Sequence, residues 1–426
     1  VNKAKHPFLS IGSWCLYDAA NSAFATVIIT FIFGVYFARG VVGDEIAGSA
    51  LWGYAIAASG LLIAIASPIL GAVADHYGAR KPWLVAFSAL CIVATCLMYF
   101  AVPSAGVGTI AFVLALLVIA NTAFEIALVY ANAMLPGLAP PAMMGRISGW
   151  AWGMGYVGGL LCLVLALVLL VGLGDIKPIL PLAQDQSQHL RATAPLVALW
   201  FALLSLPLLF FTPDEPRTGL SITQSVKTGL GQLMETLRHV RTEKNLFLFL
   251  ISSALYRDGL NTLFAVGGLY AAGTFQMNFT EILIFAIGLN VTAGIGAALF
   301  SFLDDKIGSK PTIMLALGGL VISSVVILCL HDKNLFILMA LVLGIFIGPA
   351  QAASRTMAAR LSPPDRVTQT FGLYSLTGKS VSFLGPLLFA LATSIFHTQR
   401  AGLVTIILLW LVGMALLSRV KEEKAA

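Results

Sequence analysis

Apolar residues fall along this chain in twelve long runs bounded by Gly, Pro or charged clusters: about 9–38, 47–74, 82–103, 109–135, 145–172, 192–212, 245–272, 279–303, 311–330, 334–358, 366–394 and 400–418. A helix needs roughly 20 apolar residues to cross a bilayer, and every run is close to that length or longer. The pattern predicts an all-α integral membrane protein with twelve transmembrane helices. The seventh run, from Asn245 to Gly273, holds Arg257 and Asp258 near its middle. A charge at the centre of a membrane helix costs roughly 2.5 to 3.5 kcal/mol on an insertion scale, so these two must be satisfied inside protein or water. Neighbours on a helix point about 100° apart and cannot be each other's main partner. This run is therefore expected to wall a polar interior.

The longest hydrophilic stretch, Pro213 to Lys244, divides the runs six and six. Within it Leu220, Val226, Leu230, Leu233, Leu237 and Val240 recur at near-helical spacing among Lys227, Arg238 and Arg241. That spacing predicts an amphipathic helix lying on the membrane surface as a tether. The expected organisation is an N-terminal six-helix bundle (1–212), a linker (213–244) and a C-terminal six-helix bundle (245–426).

The two halves repeat. Asp18-Ala-Ala-Asn21-Ser22 returns as Asp258-Gly-Leu-Asn261-Thr262, offset by 240. Asp75-His-Tyr-Gly78-Ala-Arg80 returns as Asp305-Lys-Ile-Gly308-Ser-Lys310, offset by 230. Leu138-Ala-Pro140-Pro141 returns as Leu361-Ser-Pro363-Pro364, and the same offset of 223 aligns Gly149 with Gly372. Three matches in one order argue for duplication. Two six-helix halves related by an axis along the membrane normal suit an alternating-access carrier with its binding site between them.

Composition agrees with a membrane protein and narrows the rest. The 426 residues are 59% hydrophobic and 10% charged, against about 25% charged in soluble domains. The net charge of +6 is spread through short loops and forms no patch for nucleic acid. Of 25 Lys and Arg, 18 fall on one side of the alternating topology and five on the other (Arg39, Lys177, Arg191, Lys333 and Arg400), with Arg257 and Lys379 inside runs. By the positive-inside rule both termini are cytoplasmic. The first run follows Lys3 and Lys5 and has no small-residue cleavage site, so a retained helix is expected. Five cysteines lie in apolar runs without metal spacing and are expected as core residues. No nucleophile–base pair or metal cluster can be assembled, so neither an enzyme nor a bound cofactor is expected. Asn278-Phe-Thr280 fits a glycosylation pattern but stands too close to the bilayer to carry meaning.

The loop after the second run, Gly71-Ala-Val-Ala-Asp75-His-Tyr-Gly78-Ala-Arg80-Lys81, resembles the G-x-x-x-D-[RK]-x-G-[RK]-[RK] signature of the major facilitator superfamily. His76 and Ala79 replace usual basic residues, and Ser301 stands at the second copy's counterpart of Gly71. Gly71, Asp75, Gly78, Arg80, Asp305, Gly308 and Lys310 are read as a conformational latch. Asp75 can accept from helix-end amides or pair with a base, while Gly78 permits a tight turn. Trp14-Cys-Leu-Tyr17-Asp18-Ala-Ala-Asn21-Ser22-Ala-Phe24 resembles the opening of one branch of that superfamily. That branch holds the autophagy-related vacuolar amino-acid effluxers and bacterial relatives. The resemblance implies the major facilitator fold and solute transport; the compact loops point to a bacterial inner membrane. Gly149, Gly153, Gly155, Gly158 and Gly159 in the fifth run faintly resemble an antiporter signature but lack its proline, and close helix packing suffices to explain them.

At about 1.5 Å rise per residue, Asp258 and Lys379 lie roughly 18 to 20 Å from the starts of their runs, and Glu125 about 15 to 16 Å from the end of its own. Asp18 shares a helix face with Asn21 and Ser22, Glu125 with Asn121, Thr122 and Asn132, and Lys379 with Ser375 and Ser382. Such polar stripes suit a cavity. Substrate contacts are expected from Arg257, Lys379, Asn21, Asn261, Tyr256 and Tyr374, with the tyrosines ranked below the charges. Glu125, Asp258 and Asp18 are expected to couple protons, because moving a nearby cation changes a buried carboxylate's proton affinity. Asp258 is expected to pair with Lys379, leaving Arg257 for Glu125 or a substrate carboxylate. Arg355 is expected to snorkel at the interface. The leading function is a monomeric secondary carrier of a small zwitterionic, amino acid-like solute, coupled to protons; the alternatives are a polyspecific drug or metabolite exporter and a non-transporting membrane receptor.

Overall fold

The computed structural model describes residues 7–104, 106–172, 177–180, 182–183, 185–216, 218–219, 222–239, 243–277 and 279–422. Lys3, Lys5, Leu220, Val240, Arg241 and Asn278 lie outside these residues, as do the side chains of Leu230, Leu233, Leu237 and Arg238. The fold is helical throughout the described residues. Twelve long helices carry the twelve apolar runs: α1 (Pro7–Val42), α2 (Glu45–Tyr77), α3 (Lys81–Phe100), α4 (Val107–Leu138), α5 (Pro141–Val171), α6 (Gln188–Phe211), α7 (Lys244–Phe275), α8 (Phe279–Ile307), α9 (Ser309–Cys329), α10 (Lys333–Leu361), α11 (Val367–Phe396) and α12 (Gln399–Leu417). Eleven of them are apolar enough by composition to span a membrane. The exception is α7, 32 residues long, whose Arg257 and Asp258 interrupt its apolar stretch. The linker helix runs from Ile222 to His239.

Sequence punctuation explains the boundaries. Gly78 and Gly308 end α2 and α8 at φ +89° and +98°, a region that glycine enters without steric cost. Pro82 and Pro311 follow at the starts of α3 and α9, where a missing N–H costs no helical bond. Pro386 lies inside α11. Its ring clashes with the carbonyl four residues back, and α11 is broken there into Val367–Val381 and Leu384–Phe396. Residues Phe24–Phe31 of α1 and Leu167–Val171 of α5 are wound more widely, as π-helix.

The helices group into two units by contact. Unit 1 holds Val1–Ala66, Ala79–Ala131 and Met154–Pro216; unit 2 holds Ser67–Gly78, Asn132–Gly153 and Arg217–Ala426. In unit 1, α6 packs on α1 and α3. Gly158 lets α5 approach Ala19, and Gly159 lets it approach Thr26, the close helix packing expected of the fifth-run glycines. In unit 2, α7 packs along α12, and α10 packs along α8 and α9. There Gly348 backs onto the Ala293 carbonyl and Gly296 onto that of Ile345, so any Cβ would force α8 and α10 apart. Unit 2 takes the ends of α2 and α4 and the start of α5 together with the second half of the sequence.

Two expectations need correction. Cys15, Cys91 and Cys162 are buried, but Cys96 and Cys329 are exposed rather than in the core. The linker helix is not only a surface tether. Its buried Ser225 and Gly229 sit one helical turn apart, and a Cβ on Gly229 would lie 2.9 Å from the backbone of Ala72 in α2. Thr218 strengthens the same junction, donating its N–H to Tyr77 O at 3.1 Å and its hydroxyl to His76 O at 2.5 Å.

Candidate functional site

Within unit 1, the motif at the start of α1 serves first to seat that helix. The Trp14 indole donates to Ala131 O of α4 at 2.8 Å, and Tyr17 Oη lies 2.8 Å from Ser88 Oγ of α3 with its ring edge-on to Phe201 of α6. Asp18 is buried beside them. Its carbonyl accepts from Ser22 Oγ at 2.7 Å, and Asn21 Nδ2 donates to Tyr17 O at 2.9 Å. Asn21 thus turns its amide back on its own helix. Gly155 brings α5 against this face, where a Cβ would lie 2.9 Å from Ser22 Oγ. On α4, Glu125 is half-buried, and Asn121 Nδ2 donates to Ser59 Oγ at 2.6 Å.

Within unit 2, α7, α10 and α11 bring a second polar group together. The Arg257 guanidinium lies 3.9 Å above the Tyr374 ring and donates to Tyr374 O at 3.3 Å. Tyr374 is in turn stacked on Phe249 at 6.0 Å, which fixes the ring that holds the cation. A Cβ on Gly378 would lie 3.2 Å from Arg257 Nη1, so the glycine leaves space for the guanidinium. Tyr256 is fully buried with its hydroxyl 2.5 Å from Ser354 Oγ of α10. Its polar end is satisfied there. Asn261 is exposed and Lys379 half-buried.

Asp258 does not pair with Lys379 as expected. Its Oδ2 accepts from Gly385 N at 2.7 Å, and Oδ1 has no hydrogen-bond partner among the described residues, although only 1% of the residue is exposed. The break in α11 causes this: it frees the Gly385 N–H from its own helix and presents it to α7. Arg355 departs from expectation as well. Instead of snorkelling it is buried, with Nε donating to Ser148 Oγ at 3.0 Å, Nη2 to Ser148 O at 2.6 Å and Nη1 to Asn132 Oδ1 at 3.3 Å. The offset of 223 also sets Arg355 against Asn132, an alignment that does not by itself disclose their contact.

The two signature loops bind helix starts. Asp75 Oδ1 accepts from Thr368 N at 3.0 Å and Oδ2 from Gln369 N at 2.8 Å, covering the free amides at the start of α11. Gly71 permits the approach, since a Cβ there would lie 2.6 Å from Thr368 O. The second copy repeats the device: Asp305 Oδ1 accepts from Gly145 N at 2.8 Å and Oδ2 from Arg146 Nε at 2.7 Å at the start of α5. Gly372 faces Ser67 O as Gly149 faces Ala297 O, one crossing for each copy.

A further pair of caps was missed in the sequence. Asp214 accepts from Arg80 N at 2.9 Å and Lys81 N at 3.1 Å, while Glu422 accepts from Ser309 N at 2.8 Å and Lys310 N at 2.7 Å. Arg80 Nη1 also reaches Glu215 at 2.5 Å, and Lys310 Nζ donates to Ser418 O and Val420 O at 2.8 and 2.7 Å. Arg360 joins Asp304 at 3.0 Å and Glu422 at 3.1 Å. The signal was an acidic pair just beyond each sixth run, Asp214-Glu215 and Glu422-Glu423. Among the described residues no group of three or more His, Cys, Asp or Glu is placed to hold a metal ion.

This arrangement has known relatives. The family profile described as "Vacuole effluxer Atg22 like" matches residues 39–426. An uncharacterized MFS-type transporter of Bacillus subtilis, YxiO, is 26% identical over 423 residues, covering 96% of this chain and 94% of that protein. Autophagy-related protein 22 of Cryptococcus neoformans is 24% identical over 302 residues, covering 66% of this chain and 53% of the fungal protein, so the chain spans about half that relative's length. Among solved structures, the proton:xylose symporter XylE aligns with a TM-score of 0.76 at 14% identity, covering 98% of this chain and 97% of that one. A bacterial homologue of the iron transporter ferroportin aligns with a TM-score of 0.69 at 14% identity, covering 97% and 100%. At that identity both speak for the fold alone. The profile match over most of the chain and the helical duplication agree: this multi-pass membrane protein belongs to the vacuole effluxer Atg22-like family, a transporter branch of the major facilitator superfamily.

Proposed function

We propose that the chain is a secondary carrier that moves a small zwitterionic, amino acid-like solute by alternating access, with protons as the coupling ion. The observation that carries the reading is the meeting of Arg257 and Tyr374: a cation held over a stacked aromatic ring, with a glycine clearing its approach. A planar guanidinium in that setting suits a carboxylate, which it binds through two parallel hydrogen bonds. Glu125, Asp18 and Asp258 are the candidates for proton coupling. A carboxylate that trades a proton for a cation partner as the protein changes state supplies the coupling.

In this reading Asp75 and Asp305 latch one conformation, since each binds helix-start amides that must be released when the helices separate. Lys379 and Asn261 contribute to the solute site, and the chain works as a monomer in a bacterial inner membrane with both termini cytoplasmic. The competing reading, a polyspecific exporter of amphipathic cations, has no use for Arg257.

Ligand-induced stabilisation of the purified protein separates the two. A free amino acid should raise the unfolding temperature while its amide, which lacks the carboxylate, should not. Protection by lipophilic cations without protection by amino acids would remove the proposal.

A further inference from the structure

The strongest unexplained feature in unit 2 is a buried carboxylate that touches a broken membrane helix. Discontinuous membrane helices expose free N–H groups at the start of their second part, a natural place for negative charge. In α11 that second part, Leu384–Phe396, is 13 residues long. Its Gly385 N–H is held at 2.7 Å by Asp258 Oδ2 across the α7–α11 packing. Gly385 has no room for a side chain, because a Cβ there would collide with Thr262 Oγ1 and lie 3.1 Å from Asp258 Oδ2. Thr262 itself is committed to the Asp258 carbonyl at 2.7 Å. Asp258 Oδ1 therefore remains buried without a hydrogen-bond partner among the described residues.

The charged and titratable groups of the surrounding helices do not occupy that oxygen. On α7, Arg257 is turned to Tyr374. The first part of α11 carries Lys379 and Tyr374, and its second part carries no titratable side chain. On α12 the single charged residue, Arg400, donates to the carbonyls of Leu328 and Leu330. On α10, Arg355 is held by Ser148 and Asn132, Arg360 by Asp304 and Glu422, and Lys333 by Glu281 of α8. The other charges of α8, Asp304, Asp305 and Lys306, lie at its end.

We propose that Asp258 is a proton-binding site that sets the geometry of α11. As a carboxylate it caps the second part of that helix through Gly385; on protonation at Oδ1 it weakens the cap and lets that part pivot at Ser382–Phe383. One proton taken from water forms one O–H bond at Oδ1 and removes one negative charge, leaving Oδ2 a neutral acceptor. A charge-assisted hydrogen bond is about twice as strong as a neutral one, so the cap loses roughly half its strength. The pivot point adjoins the first part of α11, whose Tyr374 holds Arg257. This inference deepens the proton-coupled reading above and rests on it.

The test measures distances between spin labels by pulsed electron resonance on the full chain in lipid nanodiscs, at neutral and acidic pH. Labels go on Leu338→Cys and Ile395→Cys, both exposed, after Cys96→Ser and Cys329→Ser remove the exposed native thiols. A pivot of about 10° moves the far end of a half-helix about 18 Å long by about 3 Å. The 338–395 distance should shift by that amount on acidification, and a control pair at Leu338→Cys and Leu408→Cys should not move. Asp258→Asn should hold the acid distance at both pH values, and Asp258→Glu, which still titrates, should retain the shift even if the Asn variant fails to fold. A wild-type distance indifferent to pH, or a shift that survives in Asp258→Asn, overturns the inference. Gradient-driven uptake without a shift removes the hinge and leaves the coupling; a shift without gradient-driven uptake removes the coupling and leaves the hinge.

Discussion

At the helix ends the two copies of the repeat keep the same kind of contact, a carboxylate on two successive helix-start amides, whereas at the depth of Asp258 they part company. Asp75 on the start of α11 answers Asp305 on the start of α5, and Asp214 on the start of α3 answers Glu422 on the start of α9. Near the middle, the offset of 240 sets Tyr17 against Arg257, and the offset of 223 sets Tyr156 against Lys379 and Glu125 against Gly348. Asp18 and Asp258 are the same residue in the two copies, yet Asp258 meets the start of a half-helix. The lesson is a division of labour. A duplicated frame keeps its helix-end contacts in both copies because each half needs the same turn, and a diverged centre is free to become asymmetric, as recognition of one solute requires.

That contrast can be broken first at its centre. Asp258→Asn should cut gradient-driven uptake by more than about tenfold, since a group that cannot ionise cannot carry a proton. Survival of coupling in that variant would hand the role to Asp18 or Glu125. Arg257→Lys should raise the half-saturation concentration about tenfold, equal to about 1.4 kcal/mol, with the fold retained, because an ammonium cannot reproduce the two parallel hydrogen bonds of a guanidinium. A counterflow assay over a range of solute concentrations reads this directly, and an unchanged value would exclude Arg257 from the site.

The frame should respond more weakly and evenly. Asp75→Asn and Asp305→Asn each lose a charged cap worth about 1 kcal/mol, a change of about fivefold in the balance between conformations, legible as altered cysteine accessibility along α5 and α11. Effects of similar size would support the duplicated frame; a large effect from one and none from the other would end it. The smallest change is expected for Asp214→Asn, about 0.5 kcal/mol in thermal unfolding, because the amide oxygen still accepts from a helix-start N–H and only the charge is lost.

The sequence disclosed the frame more fully than the centre. Twelve helices, the duplication and the loop glycines could be read from hydrophobic period and punctuation, because burial in lipid leaves little freedom in pattern. The run 366–394 reads as one helix although Gly385-Pro386 stands inside it, and the partner of the amide freed by the break depends on how α7 and α11 cross, which spacing along one helix does not encode. The same limit explains Asp258 and Lys379: their estimated depths agreed, but depth fixes neither distance nor rotation about the helix axis. Arg355 was misjudged because its closeness in sequence to a helix end suggested water, whereas Ser148 and Asn132 come from elsewhere in the chain.

The central claim, that a proton gradient drives an amino acid-like solute through this asymmetric centre, is tested most directly in proteoliposomes containing the purified protein. A labelled amino-acid mixture is offered with and without an imposed pH gradient, beside the Asp258→Asn control. The account predicts accumulation that requires the gradient and fails in the control. Equal uptake with and without the gradient, or no uptake of any amino acid under either condition, would contradict it.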